Sequence, residues 1–271
     1  MQFDSNKAWL SAVALVSANR DVLWALAGVF FVLPNFAFSI AFPQPEPTPG
    51  MTPEQMMALF NTYYAGVWPW FLATVILQLL GTLTILTLFT DRSRPTVGGA
   101  IRLGAAGIGP SLLAQLLAGL LMMFAALLLI GLGTLTGSPG VLVLTTVLAL
   151  AGIVYLSVRT ILVTPVIAVE GVRNPVTALT RSWQLTRANA GRLVLFFVLL
   201  GVAIGVAIGL AMLVLGLVLA VLFSGETARF VATLISSFLV GGMVVYLIAV
   251  LAATHRQLAG TSSEVAAQPF E

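Results

Sequence analysis

Cysteine is absent from the 271 residues, so neither disulfides nor thiolate metal sites are open to this chain. Histidine occurs once, at His255, and a zinc-type site needs several His, Cys or carboxylate ligands, so no metal and no cofactor are expected. Charge is scarce as well: Asp, Glu, Lys and Arg make up 8% of the chain, where a soluble domain carries roughly 25%. Lys7 is the one lysine; every other basic residue is arginine. No glycine-rich loop followed by lysine is there to hold a nucleotide, and the serines have no partner base, so no catalytic residue is assigned.

What fills the chain instead is apolar. Hydrophobic residues make up 59% and the mean hydropathy is +1.08. Six runs reach the roughly 20 apolar residues that cross a hydrocarbon core as helix: Val22 to Phe42, Ala65 to Thr90, Ser111 to Gly133, Val141 to Val169, Leu193 to Phe223 and Phe230 to Thr254. They are continuous rather than alternating, which excludes a transmembrane β-barrel. The expected fold class is an all-α membrane protein, a single integral domain over 1–271 with six transmembrane helices. The first 20 residues hold Asp4, Lys7 and Arg20 and no long apolar core, so no cleavable signal peptide is expected.

The basic residues orient the bundle. Lys7 and Arg20 precede span one; Arg92, Arg94 and Arg102 lie between spans two and three; Arg173, Arg181, Arg187 and Arg192 lie between spans four and five; Arg256 follows span six. The opposite loops hold Arg229 with Glu46, Glu54 and Glu226. The positive-inside bias then puts both termini in the cytoplasm. The net charge of +3 and the pI near 9.8 follow from this placement, and no nucleic-acid partner is expected. Arginine in place of lysine is the compositional mark of a GC-rich bacterial genome, so the expected home is a bacterial inner membrane.

The outer loop 43–53 carries five prolines and should be extended and stiff. Thr52, Pro53 and Gln55 then make a helix start, and a short outer helix to about Tyr64 is expected. LVSANRDVL at 15–23 and LTRANAGRL at 185–193 share L-x-x-A-N, while PTVGGAIRLGAAG at 95–107 and PVTALTRSWQLTR at 175–187 open alike. This suggests three repeat units, 5–90, 94–169 and 174–254, each a cytoplasmic interfacial amphipathic helix followed by two spans, with a cytoplasmic tail at 255–271. In the first such helix Trp9, Ala12, Val13 and Val16 form the apolar stripe; in the third, Asn174 caps, Pro175 opens, and Val176, Leu179 and Trp183 form the stripe while Arg181 points elsewhere. Such helices lie along the headgroups, with Arg173, Arg181, Arg187 and Arg192 beside lipid phosphate.

Glu170, Gly171, Pro175, Ala178, Leu179, Arg181, Ser182, Trp183, Leu185, Thr186 and Arg187, approached by Arg159 and Pro165, together resemble the signature of the bacterial membrane-domain family named for its fusion to glycerophosphodiester phosphodiesterases. The detailed likeness covers roughly 159 to 192. In that family the catalytic part is a separate soluble barrel, and only residues 255–271 follow span six here, so the resemblance implies a polytopic membrane protein and not a phosphodiesterase.

Within the spans, Arg159 is the exceptional charge, expected to snorkel to the cytoplasmic face as an anchor or to contact lipid or substrate. Glu170 shares its helical face, too far away for a direct bond. Gln78, in a stripe with Thr74 and Gly81, is expected to hydrogen-bond between helices, and the Gly201, Gly205, Gly209 stripe to pack closely against another span or a second copy. His255 reads as an interfacial anchor. The expected function is a non-enzymatic membrane protein that engages membrane lipids or a protein partner, including a homo-oligomer, through its basic interfacial helices; the alternative is a transporter or channel for a small or lipidic solute.

Overall fold

The computed structural model describes residues 2–90 and 95–260; Arg92 and Arg94 of the charge argument, and 261–271 of the tail, lie outside the described residues. Helices are the regular structure of the described residues, and six segments are long and apolar enough to cross a membrane: Arg20–Ala41, Pro53–Phe89, Val97–Leu135, Pro139–Val169, Ala190–Leu222 and Gly225–Ala259. Each covers one of the six expected spans, so the all-α, six-span class holds.

Helix α1 (Ser5–Ala18) is capped by Asp4, whose carboxylate accepts the Lys7 N–H at 3.0 Å. It ends at Asn19, whose side-chain amide donates to the Leu15 carbonyl, and the chain turns a corner into α2 (Arg20–Ala27). Pro34 then lacks an N–H, and its ring would collide with the carbonyl four residues back. A π-helical turn at Gly28–Val32, closed by the Leu33 N–H on the Gly28 carbonyl, absorbs the conflict before α3 (Leu33–Ala41).

Past the proline-rich loop, Thr52 and Gln55 form the expected reciprocal cap: the Thr52 N–H donates to Gln55 Oε1 at 3.0 Å, and the Gln55 N–H to Thr52 Oγ1 at 3.3 Å. The helix so started does not stop near Tyr64. It continues through Pro69 as α4 (Pro53–Thr90), because no residue after the cap ends it and the backbone tolerates the single proline. The hydroxyl of Tyr63 donates to the Phe42 carbonyl at 2.7 Å, pinning the outer end of α4 to α3.

The second expected interfacial helix is absent as a separate element. Residues 97–107 are the opening turns of α5 (Val97–Leu135), capped by Thr96. Gly104 and Gly107 are buried on that stretch, and a Cβ at Gly104 would stand 3.1 Å from the Thr84 backbone nitrogen. With so little side chain between them, α5 packs directly along α4 instead of lying across the headgroups. A tight turn leads to α6 (Pro139–Thr160), which breaks and resumes as α7 (Val163–Val169); α8 (Pro175–Arg187), α9 (Ala190–Leu222) and α10 (Gly225–Ala259) complete the chain.

The corners after α1 and α8 are built alike. Asn19 has φ −127° and ψ 21°, Asn189 has φ −126° and ψ 16°, and both are buried. The shared L-x-x-A-N is therefore the sequence of one kind of corner, in which an interfacial helix turns into a span. Residues 97–107 lack it and run straight on.

Helix α1 lies along α10 and buries Ala8, Ala12, Leu15 and Val16, a face that shares Ala12 and Val16 with the expected stripe but is rotated away from the rest of it. Trp9 and Leu10 are exposed and Val13 is half-buried. The buried core gathers where α1, α2, α4 and α10 meet, around Leu23, Ile85, Leu86 and Val250, and beside it where α4, α5, α7 and α8 meet, around Leu83, Val166 and Ile167. Helices α5, α6 and α9 present leucine and valine outward over much of their length, an apolar surface suited to lipid.

Candidate functional site at the basic end

The helix order carries Arg159, Arg173, Arg181, Arg187, Arg192 and Arg256 to one end of the bundle, and cross-links between elements confirm the placement. The Phe3 N–H donates to Asn189 Oδ1 at 2.9 Å, the Asp4 N–H to Gln257 Oε1 at 3.1 Å, and Arg256 Nη2 to the Phe89 carbonyl. The start of α1, the ends of α4, α7 and α10, and all of α8 thus meet at this end.

The break in span four organises the site. Pro165 can neither donate to nor sit over Ile161, so the helix opens at Ile161 and Leu162 and releases the carbonyl of Arg159. Helix α8 caps it from outside: Ser182 Oγ donates to the Arg159 carbonyl at 2.8 Å and Thr186 Oγ1 approaches it at 3.4 Å. Ala178, Ser182 and Thr186, four residues apart, are the buried face of α8. That face is small and polar; the expected stripe lies elsewhere, with Val176 and Trp183 exposed and Leu179 half-buried.

The Arg159 side chain does not snorkel outward. It is only 2% exposed and turns under α8, its Cζ 4.0 Å from the Trp183 ring centroid and 5.9 Å from that of Tyr155, the two rings standing edge to face. Its Nε and Nη1 are buried without a hydrogen-bond partner. The charge is met by two aromatic faces and by the C-terminal dipole of α6, in whose last turn it stands.

Glu170 is joined to its own helix and to two others. Arg181 Nε donates to Glu170 Oε2 at 2.9 Å, and His255 Nε2 lies 3.1 Å from Oε1. An ionised carboxylate only accepts, so His255 carries its proton on Nε2. Burial would raise the Glu170 pKa, but the hydrogen bonds from Arg181 and His255 and their charges outweigh it and hold the carboxyl below its ordinary value. The expectation of His255 as an interfacial anchor is corrected here: α10 extends past it to Ala259, and the imidazole is 2% exposed, turned inward to Glu170. Gly171, at φ +69°, takes the left-handed conformation that ends α7 at this carboxylate, and Asn174 restarts the chain by accepting the N–H groups of Val176 and Thr177.

The remaining residues singled out from sequence fall into two groups. Arg173, Arg187 and Arg192 are exposed at the basic end, Arg173 reaching to within 3.3 Å of the position a Cβ would take at Gly107. Gly201, Gly205 and Gly209 meet nothing of this chain: a Cβ on any of them finds no atom within 4 Å. Gln78 is half-buried on α4, and its carbonyl accepts the Thr82 hydroxyl. Sequence reasoning assigned no role to Tyr155, Ser182 or Thr186, although the i, i+4, i+8 spacing of Ala178, Ser182 and Thr186 is itself a face signal.

Chemically, the site neutralises and ties; among the described residues no group of His, Asp and Glu could hold a metal ion. A six-span helical bundle closed at one end by an arginine-bearing helix defines a polytopic membrane protein. Residues 132–266 match the family described as the membrane domain of glycerophosphoryl diester phosphodiesterase, in agreement with the resemblance carried by residues 159–192. The match takes in the whole constellation from Tyr155 to His255, and it is to the membrane domain, not to a catalytic one. No curated protein and no solved structure matches the chain.

Proposed function

We propose that the protein is a non-enzymatic, multi-pass component of a bacterial inner membrane, with both termini cytoplasmic, that binds anionic lipid headgroups across its basic end through α8 and the segments flanking it. One observation carries this reading. Among the described residues Arg173, Arg187 and Arg192 are exposed and in no ion pair, while Glu170 is engaged by Arg181 and His255 and Asp21 by Arg20, and Asp4 caps α1. Trp183 on α8 and Trp9 on α1 are both exposed, and an amphipathic ring favours the headgroup depth. Each arginine beside an anionic surface is worth about 1 kcal/mol.

The family signature then acquires a division of labour. Glu170, Ser182, Trp183 and Thr186 fasten α8 to the broken span, and the fastening presents Arg173 and Arg187 to the headgroups. Native mass spectrometry of gently extracted protein tests the reading. Retained anionic lipid that is lost in Arg173→Ala/Arg187→Ala supports it; no anionic preference over the bulk membrane would sink it.

A further inference from the structure

A groove of about 1020 Å³ runs between the N-terminal segment and α9, lying apart from the knot around Glu170. Its volume is at the upper end of the roughly 300–1,000 Å³ typical of small-molecule sites. One wall descends α9 as Arg192, Leu195, Leu199, Ala203 and Ala207, steps of three or four residues that keep to a single helical face. The wall changes character along the helix, from a cation through two leucines to two alanines, so the side chains that line it become smaller away from the basic end. From Arg192 to Ala207 the helix rises about 22 Å, somewhat more than the depth of one leaflet of a core about 30 Å thick.

The mouth is polar and carries both signs of charge. Asp4 and Ser5 stand across from Arg192. Asp4 and Arg192 share the opening without forming an ion pair with each other, and both are exposed. The Asp4 carboxylate uses Oδ1 to cap α1, and Oδ2 has no hydrogen-bond partner among the described residues. Phe3 is buried, stacks edge to face on Phe196 with centroids 5.4 Å apart, and holds the N-terminal segment against α9.

We propose that this groove is a binding site for a single zwitterionic phospholipid of the phosphoethanolamine class. Arg192 takes the phosphate, Asp4 takes the ammonium, and an acyl chain lies along Leu195, Leu199, Ala203 and Ala207. A purely anionic headgroup would meet the carboxylate of Asp4 unfavourably, whereas a headgroup carrying both charges satisfies both walls. The inference rests on the reading of this end as the one facing headgroups and shares Arg192 with it; Asp4 and the α9 wall below Arg192 belong to the groove alone.

The test is native mass spectrometry of the full chain released from nanodiscs holding equal amounts of phosphatidylethanolamine and phosphatidylglycerol. The wild type should retain one phosphatidylethanolamine in excess over phosphatidylglycerol. Asp4→Asn keeps a cap acceptor on α1 and should shift that ratio about threefold toward phosphatidylglycerol, the size of an exposed charge pair. Ala203→Trp fills the slot and should lower retention of both lipids about tenfold, as losing about two buried methylenes would. Ala207→Trp serves in its place should the first variant fold poorly. Adducts that mirror the nanodisc composition, or retention unchanged by tryptophan in the slot, overturn the proposal. Arg173→Ala/Arg187→Ala should leave this adduct intact, so failure of the surface reading and failure of the groove are told apart.

Discussion

The guanidinium of Arg159 lies 4.0 Å from the ring centroid of Trp183, with its Nε and Nη1 hydrogen-bonded to nothing. A cation on the fourth span is thus held by a ring on an interfacial helix, and the two elements are fastened through a contact in which no carboxylate takes part. A desolvated cation–π contact is worth about 2 kcal/mol.

Trp183→Ala should therefore destabilise the protein by about that amount or more, and Trp183→Phe by less, since an aromatic face remains. Arg159→Met should behave oppositely. It removes a buried charge that has no ionic partner and leaves an apolar side chain of similar length, so stability should be unchanged or raised. Thermal unfolding in a mild detergent measures all three; a loss in Arg159→Met equal to that in Trp183→Ala would show that the cation is more than a tolerated burden.

The Ser182 and Thr186 hydroxyls cap the carbonyl freed by the break at Pro165. Ser182→Ala should cost about 1 kcal/mol, because Thr186 still reaches the carbonyl, and adding Thr186→Val should cost more than a second such step by leaving a buried acceptor unpaired. A double-mutant cycle on unfolding free energies reads the coupling. Strict additivity would mean that the two hydroxyls do not share one acceptor.

Glu170 has a depressed pKa, so its contribution to stability is present above the ordinary carboxylate value of 4.5 and is lost as pH falls through the lower folded value. Acidification below pH 4.5 should loosen α8 before the bundle unfolds, seen as faster hydrogen exchange over Pro175–Arg187. Glu170→Gln should exchange at the faster rate already at neutral pH and show no further acid step. An acid step that survives in Glu170→Gln would place the titration on another group.

The glycines differ sharply in what surrounds them. At Gly104 a Cβ would press on the Thr84 backbone nitrogen, which cannot move aside as a side chain can, and at Gly81 it would collide with Phe30. Gly104→Ala and Gly81→Ala should each cost about 1–3 kcal/mol through overpacking. Gly205→Ala meets open space in the monomer and should be neutral or gain up to about 1 kcal/mol of helix propensity. Thermal unfolding of the three variants side by side settles the ordering; a large loss at Gly205 would reveal a close neighbour outside this chain.

Much of the fold is legible in the order of residues alone. Six apolar runs are six spans, because a continuous apolar run satisfies its backbone groups inside lipid as a helix, while a barrel would need alternating strands. The Thr52–Gln55 cap, the opening of span four before Pro165 and the corner written as L-x-x-A-N are local, since each follows from the few residues that form it. Tertiary structure alone decided which faces meet. In a bilayer an apolar side chain is equally at home against lipid and against another helix, so hydropathy cannot say whether the Gly201 stripe or Gly104 is the tight contact, nor which face α1 turns to α10. For the same reason His255 looks in sequence like a surface anchor: its partner, Glu170, lies 85 residues away, and only the packing of α7 against α10 brings the two within a hydrogen bond.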